Sequence, residues 1–439
     1  MISYKINHGI NGSPIIPGDK SISHRAIIIP SISNGVTEIT NILKSEDVNN
    51  TLEAFKGMGV KIIDDGDKLI IYGNGLKSLK KPKKEIYLGN SGTSARLLTG
   101  LLAAQNFDTK ITGDKSLSKR PMNRIANPLS SMKAEIFTSN GSLPIKIKGK
   151  KLESSNIDIS IPSAQIKSAL LFACLNTQGK STISESKITR DHTEIMLKAF
   201  GADINIDAKG QKKLITINGL KELKAKNIDV PSDLSSSAFF IVAALINKNS
   251  KIILKNININ PTRNGLLLAL EKMGARINYL NKRISNDENV CDMEISSSNL
   301  KGCELDKSFA DLMIDEYPIL SVAAAFADSP SIFRGLKELR VKESDRLNLI
   351  YLNLLNCGVD CNIIEDDLII NPSKNFEIKN NNIRTDYDHR IAMSFCVMGT
   401  KIGPLKINDA ESINTSFPSF INEFKSVGGK IIWNPILYL

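Results

Sequence analysis

Met58-Gly59-Val60-Lys61-Ile62 is the stretch that orders the rest of the chain, because it recurs as Phe200-Gly201-Ala202-Asp203-Ile204 and Met273-Gly274-Ala275-Arg276-Ile277. Degenerate copies stand at Met132-Lys133-Ala134-Glu135-Ile136, Cys357-Gly358-Val359-Asp360-Cys361 and Val427-Gly428-Gly429-Lys430-Ile431. A spacing of roughly 70 to 85 residues is longer than solenoid repeats and divides the chain into six related units. Each copy follows a helical pattern, such as Val48 to Gly57 or Gly265 to Lys272, so its glycine is expected to end a helix and lead into a strand. Most copies continue through a turn into a second strand: Leu69 to Tyr72, Leu214 to Asn218, Leu368 to Asn371.

Ahead of these segments lie helical stretches rich in small apolar residues: Ser94 to Ala104, Ala164 to Leu175, Ser236 to Ile246, Ile319 to Ala327 and Ile391 to Met398. They are apolar nearly all round, which predicts burial inside a domain. The unit read from the residues is therefore helix, strand, helix, strand, strand. Six such units imply two α/β domains of three units each.

The chain has 439 residues, 41% hydrophobic and 23% charged, enough for a large core and about two to four domains. Its formal charge of +11 suits nucleic acid, an acidic surface or small anionic substrates, while 5% aromatic residues and one Trp leave little material for stacking on bases. Lysine runs such as Lys80-Lys81-Pro82-Lys83-Lys84 read as solvated surface. No stretch reaches the roughly 18 to 20 uncharged apolar residues of a membrane span, and Met1-Ile2-Ser3-Tyr4-Lys5 lacks a signal-peptide core, so a soluble, cytoplasmic protein is expected. Cys174, Cys291, Cys303, Cys357, Cys361 and Cys396 are scattered in mostly apolar company, as buried free thiols are. With only His8, His24, His192 and His389 besides, no metal site is expected.

Polar residues concentrate where the apolar helices begin, and helix N-termini aimed at one place make an anion site. In Pro17-Gly18-Asp19-Lys20-Ser21-Ile22-Ser23-His24-Arg25, Asp19 or Ser21 can cap the helix while Lys20 and Arg25 bring cations to it. Gly89-Asn90-Ser91-Gly92-Thr93-Ser94-Ala95-Arg96 is neither a P-loop nor a dinucleotide fingerprint, yet it permits close backbone approach to an anion. Lys115 to Pro121 reads as a basic surface loop. Pro162-Ser163-Ala164-Gln165-Ile166-Lys167-Ser168 puts polar groups at the head of an apolar helix, where a buried Gln165 needs partners. In Thr189-Arg190-Asp191-His192 the histidine reads as structural. Asp315-Glu316-Tyr317-Pro318, Arg340-Val341-Lys342-Glu343-Ser344-Asp345-Arg346 and Asp388-His389-Arg390 set carboxylates among cations, suiting helix caps or acid and base groups in a cationic pocket.

Taken together and in order, PGDKSISHR, GNSGTSAR, KRPM, PSAQIKSA, RVKESDRL and DHRIAMSF resemble the 5-enolpyruvylshikimate-3-phosphate synthases, over Pro17 to Pro418. The resemblance implies transfer of the enolpyruvyl group of phosphoenolpyruvate to the 5-hydroxyl of shikimate 3-phosphate, with no metal or organic cofactor. It also implies two inside-out, barrel-like α/β domains, each of three βαβαββ units, one spanning 19–233 and the other 1–18 with 234–439, the active site lying in the cleft between them. On the family pattern, Lys20, Asn90, Gly92, Arg120, Gln165, Arg346 and Arg390 look like phosphoenolpyruvate contacts. Lys20, Ser21, Arg25, Ser163, Ala164, Gln165, Arg190, Asp315 and Lys342 look like shikimate 3-phosphate contacts. Asp315 is the expected base at the hydroxyl and Glu343 the acid at the methylene carbon, with Lys20 and His389 steadying charge.

Asp19 stands where the family usually has Ser, Ala164 where a second Ser is frequent, and Thr415 where a Lys often meets phosphoenolpyruvate. Asp19, Thr189 to His192 and Asp315 to Pro318 are similar to a divergent bacterial branch with glyphosate-tolerant members. Tolerant members carry Ala where this chain keeps Gly92, so glyphosate sensitivity is expected. The competing enzyme reading is UDP-N-acetylglucosamine enolpyruvyl transferase, whose flexible loop usually carries a Cys that Lys115 to Arg120 lacks. A different class altogether is an RNA- or polyanion-binding protein. A monomer acting on two small molecules, with neither nucleic acid nor membrane as partner, is expected.

Overall fold

The computed structural model describes residues 1–210, 212–373 and 375–433. It divides into two compact units, one of residues 18–230 with 285–288 and the other of residues 1–17, 231–284 and 289–439. We call them the N-terminal and C-terminal units. Each has its own apolar core.

The core of each unit is a trio of helices. In the N-terminal unit these are α1 (Lys20–Ser31), α2 (Gly92–Ala103) and α3 (Ala164–Leu175); in the C-terminal unit, α4 (Leu234–Ile246), α5 (Tyr317–Ala325) and α6 (His389–Ile402). Their all-round apolar composition is what permits this, and in α4 every residue is buried. Small residues let the helices approach closely: a β-carbon added to Gly100 of α2 would lie 1.9 Å from the Ala169 carbonyl oxygen of α3. The expected starts of four of these helices were about two residues late. Their first turns carry polar residues, and the chain before them is held by Ser91, Asp233 and Asp388 as side-chain caps.

Around each trio stand three four-stranded sheets. Each contains one parallel pair; in the sheet of Asn156–Ile159, for instance, that short leading strand pairs in parallel with Lys180–Glu185, which then pairs antiparallel with Lys212–Asn218, itself antiparallel to Asp203–Lys209. The leading strands, for instance Ile86–Tyr87, Asn156–Ile159, Glu304–Leu305 and Asn382–Ile383, are two to four residues long, too short for an alternation signal, and only the family resemblance implied them. Segments distant in the chain complete two of the sheets: Ile228–Asp229 joins Asn34–Thr40 in the N-terminal unit, and Asn11–Gly12 joins Lys251–Asn258 in the C-terminal unit. Ile2–Tyr4 enters a third sheet between Leu405–Ile407 and Lys430–Ile432.

The glycine that marks the repeat has the conformation its role requires. Gly59, Gly201, Gly274, Gly358 and Gly428 have φ of 87°, 86°, 82°, 80° and 107°, in the region that L side chains rarely adopt, just after a helix ends. In the degenerate copy Lys133 adopts φ of 64°, so the turn survives without its glycine. Five of the six free cysteines are buried; Cys303 is half-buried. Among the described residues no helix is long and apolar enough to cross a membrane.

Candidate functional site

The N-terminal unit gathers cations at the heads of its inner helices. Asp19 is buried and caps α1, accepting from the Ile22 N–H at 2.9 Å. Lys20, the first residue of α1, is ion-paired with Asp47 in the first turn of the neighbouring helix Glu46–Gly57. One turn further on, Arg25 is buried. It donates from Nε to Thr193 Oγ1 at 2.6 Å, from Nη2 to Ser168 Oγ at 2.8 Å and from Nη1 to the Ser21 carbonyl at 2.7 Å. Burial, with Arg190 nearby adding to it, pulls its pKa down to about 10. His24 lies buried beside Thr51 and Ser94, and burial, then the charges of Lys20 and Arg25, hold its pKa well below the usual histidine range.

At the head of α2, Ser91 caps the helix and Asn90 accepts from Arg120. Gln165, at the start of α3, accepts from Arg96 and donates to Thr93 Oγ1 at 3.0 Å. A β-carbon on Gly92 would lie 2.8 Å from Arg120 Nη1 and 3.3 Å from Arg96 Nη1, so two guanidinium groups flank the space beyond this glycine. That is a cationic cradle on a helix N-terminus, an arrangement whose chemistry suits an oxyanion. The loop Lys115 to Pro121 is not wholly surface as expected: Lys115 and Lys119 are exposed, but Leu117 anchors the segment inside and Arg120 is buried with it. Ser163 spends its hydroxyl capping α3, Ala164 offers its carbonyl to Ser168, and half-buried Arg190 acts electrostatically on Arg25. His192 pairs with Glu288 at 2.6 Å, in keeping with a structural role.

The C-terminal unit assembles the rest around one buried arginine. Arg346, the first residue of helix Arg346–Asn356, has no exposed side-chain surface and meets three carboxylates. It reaches Asp388 Oδ2 at 2.7 Å, Glu343 Oε2 at 2.6 Å and Asp315 Oδ1 at 3.1 Å. Those partners more than offset desolvation and raise its pKa. Lys342 lies 3.3 Å from Asp315, and Arg390 donates to the Asp315 carbonyl at 3.2 Å. Asp388 also caps α6, accepting from the Arg390 N–H at 2.9 Å, and takes the Ser344 hydroxyl at 2.9 Å. His389 is buried within 3.4 Å of the Thr415 hydroxyl, which itself donates to the Ser412 carbonyl at 2.7 Å.

Each predicted residue thus joins one of two clusters, one per unit: Lys20, Ser21, Arg25, Asn90, Gly92, Arg120, Ser163, Ala164, Gln165 and Arg190, and Asp315, Lys342, Glu343, Arg346, His389 and Arg390. Glu316, not Asp315, occupies the cap position of α5, and its carboxylate turns instead to Ser235, Arg263 and Arg390. The partners that set these side chains were not read from the sequence: Asp47, Arg96, Arg263, Thr193 and the buried set Lys167, Glu185, Glu194 and Lys213. Lys167 sits 2.8 Å from both Glu185 and Glu194, a buried charge at the head of a helix that is apolar from Ala169 on, which was the available signal. In strand Lys212–Asn218 the register buries Lys213 and exposes Leu214, the reverse of what hydrophobicity suggests, because Lys213 reaches Glu194 at 3.0 Å.

A family model for EPSP synthase (3-phosphoshikimate 1-carboxyvinyltransferase) matches residues 5–424. The chain is 44% identical over 435 residues to the 3-phosphoshikimate 1-carboxyvinyltransferase of Vesicomyosocius okutanii, covering 98% of this chain and 99% of that one. It is 45% identical over 428 residues to the Bartonella quintana protein of the same name, covering 96% and 97%. The solved EPSP synthase of Acinetobacter baumannii superposes with a TM-score of 0.85 at 42% identity, covering 97% of this chain and 98% of that one.

Proposed function

The chain belongs to the EPSP synthase family and so catalyses 3-phosphoshikimate 1-carboxyvinyl transfer in the shikimate pathway, and from that premise we propose how its two clusters share the reaction. The N-terminal cluster takes substrate anions on Lys20, Arg25, Arg120 and Arg190, with Asn90, Gln165, Ser163, Ser21, the Ala164 backbone and the head of α2 at Gly92 completing the contacts. The C-terminal cluster supplies Lys342, Arg346 and Arg390 as cations and moves the protons. Asp315 takes the proton of the 5-hydroxyl as its oxygen bonds to C2 of phosphoenolpyruvate, and Glu343 delivers a proton to C3. In the second step Glu343 takes a C3 proton back while the bond from C2 to the phosphate oxygen breaks, and the proton held by Asp315 passes to the departing inorganic phosphate, which restores both carboxyl groups. Lys20 and His389 steady the charge that develops.

The observation that carries this reading is that Asp315 and Glu343 are held by one guanidinium, Arg346, at 3.1 and 2.6 Å, with Asp388 anchoring that arginine from a third side. Two carboxylates near one fixed cation can hold different protonation states once a substrate anion competes for the arginine. Glu343 must carry a proton to act as an acid.

We further propose a monomer working in the cytoplasm. Six free thiols suit a reducing compartment, and each unit carries its own core. Phosphate release from phosphoenolpyruvate, with and without shikimate 3-phosphate, tests the activity. Release that depends on shikimate 3-phosphate is expected; release that needs UDP-N-acetylglucosamine instead, or none with either, overturns it.

A further inference from the structure

Arg25 differs from Lys20, Arg346 and Arg390 in what holds it. Lys20 is paired with Asp47, Arg346 with three carboxylates and Arg390 with Glu316, but Arg25 is seated by three neutral oxygens. We propose, on the functional reading above, that Thr193 and Ser168 are positioning residues that aim Arg25 at a substrate oxyanion while keeping its N–H groups out of any direct bond to a carboxylate.

The hydrogen bonds can be followed donor by donor. Ser168 lies within 2.6 Å of the Ala164 carbonyl, which can only accept, so the Ser168 proton is spent there. The contact of 2.6 Å between Ser168 Oγ and Thr193 Oγ1 must then use the Thr193 proton. Both hydroxyls therefore turn lone pairs toward Arg25, which donates from Nε to one and from Nη2 to the other. A guanidinium carries five N–H donors. Three are used, the third going from Nη1 to the Ser21 carbonyl, which leaves one N–H on each terminal nitrogen. A pair of that kind grips a carboxylate or phosphate through two parallel bonds. A carboxylate in place of either hydroxyl would instead neutralise the arginine and compete with the ligand.

The seat is clamped from beneath. Ser168 follows Lys167 in the chain, and Thr193 precedes Glu194. Lys167 and Glu194 form a fully buried ion pair at 2.8 Å, so the two backbones that carry the hydroxyls are tied together beside them. Glu194 is held further by Lys213 at 3.0 Å.

The test is Thr193→Val, which keeps shape and removes the acceptor, with Thr193→Ser as the rescue. Losing a hydrogen bond to a charged group is expected to raise the dissociation constant for shikimate 3-phosphate, measured by calorimetry, by roughly tenfold or more. The Ser variant should return to within about threefold of the parent, and the KM for phosphoenolpyruvate at saturating shikimate 3-phosphate should change by less than about threefold. If Thr193→Val does not fold, Ser168→Ala is read in the same way. A folded Val variant that binds shikimate 3-phosphate as the parent does, or a Ser variant as weak as the Val one, overturns the proposal. Failure of the functional reading shows differently: there the unmodified protein itself neither binds nor turns over shikimate 3-phosphate.

Discussion

Replacing Asp315 by Asn removes one negative charge with little change of shape, and its consequences can be worked from the contacts. Asp315 Oδ1 lies 3.1 Å from Arg346 Nη1 and 3.3 Å from Lys342 Nζ. A unit pair at that separation interacts by roughly 5 kcal/mol at an effective dielectric of about 20, before desolvation is subtracted. Arg346 does not depend on this contact, since Asp388 at 2.7 Å and Glu343 at 2.6 Å still fix it. The lost attraction therefore falls mainly on Lys342, whose partly exposed side chain water screens, so the net stability change is expected to be no more than about 1 kcal/mol. Lys342 relieved of its carboxylate faces an anionic ligand with more of its charge, and the dissociation constant for shikimate 3-phosphate should stay within about tenfold of the parent. Turnover is another matter. An amide cannot take the hydroxyl proton, and kcat should fall by roughly 10² to 10⁴. Steady-state phosphate release at saturation by both substrates, with calorimetric binding of shikimate 3-phosphate, separates these effects. A kcat within about tenfold of the parent refutes Asp315 as the base. A loss confined to binding makes it a positioning residue.

Lys167→Met leaves buried Glu185 without its cation and Glu194 with Lys213 alone, and urea unfolding should show a loss of about 3 kcal/mol or more; a loss under about 1 kcal/mol would mean the cluster is not stabilised as its geometry implies. Gly92→Ala places a methyl 2.8 Å from Arg120 Nη1, and because that atom ends a flexible side chain the substrate should be accommodated at little cost. The bulkier glyphosate is expected to lose more affinity than phosphoenolpyruvate, starting from a sensitive parent. Inhibition curves at matched phosphoenolpyruvate saturation decide it, and equal losses or a parent that tolerates millimolar inhibitor would defeat the argument. His24 is held neutral when folded, whereas the unfolded chain protonates it near the ordinary pKa of about 6.5. The unfolded state thus binds the extra proton, and stability is complete above that pH and lost as pH falls below it, with a slope approaching 1.4 kcal/mol per pH unit, roughly. His24→Asn should flatten the fall in urea midpoint between pH 7 and pH 5; an unchanged profile would assign the loss to other groups.

What the sequence determined by itself is what local rules encode. The repeat is legible because a helix ending in a left-handed residue nearly always needs glycine, so Gly59, Gly201, Gly274, Gly358 and Gly428 recur at matching places. The inner helices are legible because all-round apolarity has one stable destination, the interior of a unit. The cationic motifs named the chemistry, since an anion site must be built from lysine, arginine and helix heads. Tertiary structure decided the pairings. Nothing local tells Lys20 that it meets Asp47, Arg346 that three carboxylates converge on it, or Lys213 that it faces inward while Leu214 faces out. Those outcomes depend on which elements the sheets and helices of each unit bring side by side. A buried charge is stable only where its partners arrive from distant segments. The seat of Arg25 is the clearest case: two ordinary hydroxyls, Ser168 and Thr193, acquire a role only because a buried lysine and glutamate tie their backbones together.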